Sequence, residues 1–292
     1  MSDKMSDEGV IIFGEVLFDC FGDDCRLGGA PFNVAWHLQG FGLAPRFVSR
    51  IGNDGLGAKV RERMQAWGMD TRWLQTDKQR PTGRVIVKLQ NGQPSYEILD
   101  AQAYDTIDVP SGLESEEAVL YHGTLALRHE HNCHVLERLR KRKQVFLDLN
   151  LRAPWWRPDE VELLLPGTHW LKLNDEEFEL LARPGESPAA FAKRYHLPAL
   201  IITLGAQGVK LWWNDVLIFS PAPSISDLVD TVGAGDAFSA VVLYGVLHDW
   251  EWPLILRRAG DFAARVCRQR GALIEEKRIY EEVLHDWKQA DD

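Results

Sequence analysis

The chain has 292 residues, enough for one large domain or two small ones with a real core. Apolar residues make up 45% and charged residues 26%, the balance of an ordinary globular chain, which excludes disordered and fibrous architectures. A formal charge of -10 disfavours nucleic-acid and acidic-membrane partners, yet allows a small polyanion held by backbone amides and a metal ion.

The opening segment MSDKMSDEG is polar and acidic, unlike a signal peptide, and no stretch reaches the roughly 18 apolar residues of a membrane span. A cytoplasmic location is expected. Cys20, Cys25, Cys133 and Cys267 lack CxxC spacing, so all four are expected as reduced thiols.

Short apolar runs then alternate with longer amphipathic ones. The first strand is Val10 to Phe13, followed by an extended piece, Glu15 to Leu27, a helix over Phe32 to Phe41, a strand over Arg46 to Ile51 and a helix over Leu56 to Trp67. From Thr71 to Leu99 strand follows strand, with GRVIVKLQ and PSYEIL flanking a turn at Asn91-Gly92. Beyond it, strands are expected at Ala118 to His122, Val145 to Leu149, Trp170 to Leu173, Ala199 to Leu204 and Val209 to Trp213. Helices are expected at Asn132 to Arg142, Asp175 to Leu181, Ala189 to Tyr195, Gly235 to His248 and Pro253 to Arg270, with a frayed tail from Lys288. Apolar strands between helices indicate an α/β fold, a three-layer α/β/α sandwich on a mainly parallel sheet. The strands within residues 15–28 and 71–100 are expected to form a small separate β-sheet.

The strongest chemical signal is Asp230-Thr231-Val232-Gly233-Ala234-Gly235-Asp236, followed by the apolar run AFSAVVLYGVL. Small residues let a backbone approach a ligand, and amides at a helix start form an anion hole. A carboxylate there, Asp236, suits removal of a proton from a hydroxyl that attacks a phosphoryl group. On these residues alone, a glycine-rich helix start with an Asp cap is an equal reading. The chain has no GxxxxGK[ST] and no GxGxxG, and VIIFGE supplies only one glycine after the first strand, which weighs against a dinucleotide-dependent oxidoreductase.

The segment DTVGAGDAFSA resembles the C-terminal signature of the ribokinase-like (PfkB) carbohydrate kinases. Gly28-Gly29-Ala30-Pro31-Phe32-Asn33-Val34-Ala35, with Gly42 and Gly52, resembles the family's other signature. The resemblance covers nearly the whole chain and implies one ribokinase-like domain whose small sheet is a lid over the sugar. It implies that Asp236 is the catalytic base, with Gly233, Ala234 and Gly235 forming the anion hole. For the sugar it implies Asp19, Gly28, Gly29 and Asn33. Lys172-Leu173-Asn174-Asp175-Glu176-Glu177 resembles the NxxE motif, implying Asn174 near the phosphates and Glu177 orienting Mg²⁺ through water; a capped helix start fits the same spacing. Ile201 to Gly208 resembles the TLGxxG turn, implying ATP contacts at Thr203, Gly205 and Gly208. The run from Asp148 to Trp156 (DLNLRAPWW) resembles fructokinases and 2-keto-3-deoxygluconate kinases, implying that Arg152 reaches phosphate or an acidic substrate end and that Asp148 helps organise the metal region. Asp230, Val232 and Gly271 occupy positions implying a K⁺ site.

Fructose, phosphorylated on its primary hydroxyl, is therefore the expected substrate, with the keto-deoxy acid as the alternative and a catalytically silent sugar-binding homologue as the reading outside catalysis. The expected partners are sugar and Mg-ATP, with a homodimer through the lid sheet. His129, His131 and His134 invite a metal reading, but a helix start does not make these side chains converge as a zinc site requires.

Overall fold

The computed structural model describes residues 9–22, 24–90 and 93–289. The Asn91-Gly92 turn and the end of the tail, 290–292, lie outside the described residues. A nine-stranded sheet runs, in spatial order, through β13 (Val216–Ser220), β12 (Val209–Trp213), β11 (Ala199–Thr203), β10 (Trp170–Asn174), β9 (Lys143–Asp148), β8 (Ala118–His122), β1 (Gly9–Phe13), β4 (Arg46–Gly52) and β5 (Leu74–Asp77). All neighbours are parallel except the β11-β12 and β12-β13 pairs at one edge.

Alternation along the central strands sorts side chains into two apolar layers. Val10 and Ile12 of β1 join a core with α1 (Ala30–Gly40), α2 (Gly55–Trp67), α7 (Ala234–Leu247), α8 (Trp252–Val266) and α9 (Lys277–Gln289). Ile11 and Phe13 face the other way, toward α3 (Glu130–Leu139). Further along that face, Leu147, Leu171 and Leu200 pack with α4 (Pro158–Leu164), α5 (Asp175–Leu181) and α6 (Pro188–Arg194). The expected three-layer α/β/α arrangement is thus present.

The small sheet has the order β3 (Asp24–Gly28), β2 (Leu17–Phe21), β6 (Gly83–Gln90), β7 (Gln93–Ile98). Two expectations need correction. Leu74–Asp77, inside the run assigned to the small sheet, pairs in parallel with β4 and extends the large sheet instead. Cys20 and Cys25 are not reduced thiols: they face each other across the β2-β3 hairpin, with Cα atoms 4.0 Å apart, and form a disulfide. Cys133 and Cys267 are free. Helices α4 and α9 and strand β13 were not expected; α9 buries Tyr280, Val283 and Trp287, a helical spacing in a charge-rich segment.

Tyr280 ties α9 to α1. Its hydroxyl lies 2.8 Å from His37 Nδ1, and its ring meets Phe41, Trp67 and Phe262. Burial holds the His37 imidazole neutral by lowering its pKa to about 3. Gly40, the last residue of α1, lies against this ring so closely that a Cβ would overlap it. Gly40→Ala should therefore destabilise the protein by about 1–3 kcal/mol through overpacking, read as a lower urea midpoint; an unchanged midpoint would show that the ring can move aside.

Candidate active site

The C-terminal ends of the parallel strands, where ligands bind in open α/β sheets, carry most of the singled-out residues. Asp148 ends β9, Asn174 ends β10 and Thr203 ends β11. Two glycine-started helices point into the same region. Gly29 is the N-cap of α1 at φ 108 and Gly233 that of α7 at φ 79, both in a region that favours glycine. A Cβ on Gly29 would stand 2.8 Å from the Glu15 carbonyl oxygen, and one on Gly233 would overlap Ala272.

These helix starts bring the two sequence signatures together. Asn33 Nδ2 donates to Asp236 Oδ2 at 2.7 Å. Asn33 Oδ1 is buried without a protein partner. A Cβ on Gly28 would lie 3.6 Å from Asp19 Oδ2 and 3.9 Å from Asn33 Oδ1, so the missing side chain leaves a space walled by two acceptors. Arg152 is exposed, and its charge acts on Asp19 and Asp236 alike. Asp19, Gly28, Gly29, Asn33, Arg152 and Asp236 thus form one group.

Burial raises the Asp236 carboxyl to about 6, with the negative charge of Asp148 adding, while the Asn33 hydrogen bond, Lys172 and Arg152 act in the opposite direction. Burial likewise raises Asp19, against the pull of Arg152. Glu15, unnoticed in the sequence beyond its place in the extended piece, is buried and raised to about 7, by burial foremost.

The first turn of α7 differs from expectation in one detail. The Ala234 amide donates to the Thr231 carbonyl at 3.2 Å, so it is engaged in the turn. The amides of Gly235 and Asp236 follow in the first helical turn, where a helix supplies no acceptor to them, and remain suited to an anion.

At the end of β10, Asn174 Oδ1 accepts from the Glu177 amide at 2.7 Å and Glu177 Oε2 accepts from the Asn174 amide at 2.9 Å. This is a capping box, and Glu177 Oε1 also accepts from Leu151 N at 2.6 Å, tethering the loop that bears Arg152. Burial raises the Glu177 pKa despite these bonds. Thr203 lies beside Asn174 in register. Gly205 (φ 54) and Gly208 (φ 116) make the following turn; a Cβ on Gly208 would overlap the Ser220 carbonyl oxygen.

Asp230 gathers the three residues expected around K⁺. Its Oδ1 accepts from Val232 N at 3.1 Å and its Oδ2 from Gly271 N at 3.0 Å.

Asp148 sits at the centre of a buried network. It is buried and its oxygens accept from Lys172 Nζ at 2.9 and 2.8 Å, Tyr121 Oη at 3.1 Å and Ser239 Oγ at 2.7 Å. Its oxygens are thus engaged by donors from β8, β10 and α7. Lys172, Tyr121 and Ser239 were missed; the spacing of Ser239 three residues after Asp236 was the available sign, since it places both on adjoining turns. The histidines do not converge: His129 lies 2.7 Å from Asp100, His131 lies 3.2 Å from the Ile107 carbonyl and His134 is near Glu130. Trp155 stacks on Arg128, 4.3 Å from the guanidinium carbon to the ring centroid.

The chain is similar to known proteins over most of its length. The profile of the pfkB family carbohydrate kinases matches residues 6–278. An uncharacterized sugar kinase of Pyrococcus horikoshii is 32% identical over 285 residues, covering 89% of this chain and 90% of that one. Its crystal structure in complex with ATP superposes with a TM-score of 0.75 at 25% identity, over 93% of this chain and 99% of that one. A fructokinase of Escherichia coli is 28% identical over 269 residues (81% of this chain, 84% of that one). An aminoimidazole riboside kinase of Salmonella typhimurium is 30% identical over 271 residues (84% and 83%). With its ribokinase-like α/β fold, small second sheet and paired glycine-started helices, the chain belongs to the pfkB family of carbohydrate kinases.

Proposed function

We propose that this kinase transfers the γ-phosphate of ATP to the primary hydroxyl of fructose, with Asp236 as the base. The observation that carries this reading is the grouping of Asp236 and Asn33 with Asp19 around the side-chain-free Gly28, a space bounded by acceptors for hydroxyl hydrogens. A carboxylate accepts two such hydrogens at once. The E. coli fructokinase relationship supports the choice of sugar.

In this reading ionised Asp236 takes the proton of the primary hydroxyl as its oxygen attacks the γ-phosphorus. The amides of Gly235 and Asp236, at the positive end of α7, hold the charge on the transferred group. Asn174, Thr203, Gly205 and Gly208 line the nucleotide side. Each Glu177 oxygen accepts one backbone N–H and retains a lone pair, so this carboxylate fits a water bound to Mg²⁺. Mg²⁺ when bound neutralises phosphate charge. Asp230, with the Val232 carbonyl and the Gly271-Ala272 turn, suits K⁺ beside the anion hole. The small sheet acts as a lid whose closure excludes water. Exposed Phe21 and Tyr96 on it support a homodimer through this face.

Arg152 favours a second reading, 2-keto-3-deoxygluconate, because an exposed guanidinium beside Asp19 could pair with an acidic sugar end. A coupled ADP-release panel of fructose, 2-keto-3-deoxygluconate, ribose, adenosine and fructose 6-phosphate separates the two. Fructose should give the highest kcat/KM; turnover of the keto acid alone would replace it.

Asp236→Asn should retain sugar and ATP binding by calorimetry and lose turnover by about 100-fold or more, the scale of general-base catalysis. A near-native rate would remove Asp236 from the role. Because only ionised Asp236 accepts a proton, kcat/KM should fall on the acid side of about pH 6. Asn33→Ala removes a bond that stabilises the carboxylate, so its acid limb should move to higher pH; a limb at the native position would sever that link.

A further inference from the structure

We propose that Ser239 is a positioning residue, which locks the first turn of α7 to the end of β9 through the buried Asp148–Lys172 pair and so holds Asp236 in place. Asp148 is buried. A carboxylate withdrawn from water needs a countercharge and hydrogen-bond donors. Lys172 supplies the charge from β10, with Nζ within 2.9 Å of both oxygens. Tyr121 of β8 and Ser239 of α7 each donate to Oδ2, at 3.1 and 2.7 Å. Three elements of the fold therefore meet on one carboxylate of a fourth.

Ser239 differs from the other donors in its location. Its oxygen lies 3.0 Å from the carbonyl oxygen of Gly235, the residue whose amide belongs to the anion hole. A hydroxyl has one hydrogen, and the shorter, charge-assisted bond to Asp148 takes it. Lys172 Nζ lies 3.5 Å from the point where a Gly235 Cβ would stand, so the ammonium sits directly beneath the same turn. Ser239 is one helical turn beyond Asp236, and a shift of α7 along its axis would displace the Asp236 carboxylate from the hydroxyl it serves. Tyr121 donates to the same Oδ2 but stands on a central strand, remote from α7 in the chain. It is therefore the matched control.

The test compares Ser239→Ala with Tyr121→Phe, each the loss of one hydroxyl donor to one carboxylate oxygen. This inference rests on Asp236 as the base, so one readout is kinetic and one is not. With the best sugar from the panel, Ser239→Ala should lower kcat ~10–100-fold with KM values for sugar and ATP within ~3-fold, the scale of a small misplacement at a reacting centre. Tyr121→Phe should keep kcat within ~3-fold, since it leaves α7 tethered. The kcat is expressed per nucleotide-binding site, counted by calorimetric titration with ATP, so that a partly unfolded Ser239→Ala sample is still scored. Amide hydrogen exchange over residues 234–239, without any sugar, should quicken in Ser239→Ala and not in Tyr121→Phe. Native kcat per site in Ser239→Ala, an equal loss in both variants, or unaltered exchange in Ser239→Ala would each overturn the proposal. Quickened exchange with no sugar turned over by any variant would uphold the tether and count against the proposed substrate instead.

Discussion

One hydrogen bond, 2.7 Å from Asn33 Nδ2 to Asp236 Oδ2, joins residues 203 apart in the chain, and the geometry of the whole site depends on it. It can form only because α1 and α7 start side by side. Each start requires a glycine in the left-handed region, packed against backbone or Cβ of another segment: Gly29 against Glu15, Gly233 against Ala272. Behind the bond, Trp36 donates to the Ile274 carbonyl and stacks on Trp67, while His37 Nε2 lies 3.0 Å from the Ala272 carbonyl oxygen. The segment that Gly233 touches is therefore held by the same helix that carries Asn33. Core packing and site geometry are the same set of contacts, which is why the site is rigid where it must be accurate.

What was legible in the sequence was local. The central strands are apolar runs and the helices have amphipathic periods, so their order gave the layered sheet. The two glycine signatures marked the helix starts because φ requirements are written directly in residue type. What was illegible depended on pairing. Leu74–Asp77 reads as one more strand beside those of the small sheet, and only its register with β4 assigns it to the large one. Cys20 and Cys25 looked unrelated because spacing was judged along the chain, whereas a tight hairpin places them opposite each other. The buried network of Asp148 could not be read along the chain because its partners, Lys172, Tyr121 and Ser239, come from three other elements. Helix α9 is hard to read because its three buried anchors are diluted by charge; Tyr280 shows their value, at the centre of a ring cluster with Phe41 after α1 and Trp67 of α2.

The negative charge of the chain then takes on a local meaning. A site for phosphate contains Glu15, Asp19, Asp148 and Asp236, and four full negative charges would repel a polyanion strongly at low dielectric. The fold moderates them by two routes. Asp148 is neutralised by Lys172 within the same buried network. Glu15 and Asp236 are buried enough that their pKa values rise to about 7 and about 6, so part of their charge is absent near neutrality. The same shift makes Asp236 a stronger base than an exposed aspartate while leaving most of it ionised near pH 7. Burial of carboxylates, which alone would be an obstacle to binding ATP, thus suits one of them to the proposed proton removal. In the proposed function positive potential is required only at the amides of Gly235 and Asp236 and at Arg152, so a chain with net charge -10 needs no basic surface for a single nucleotide.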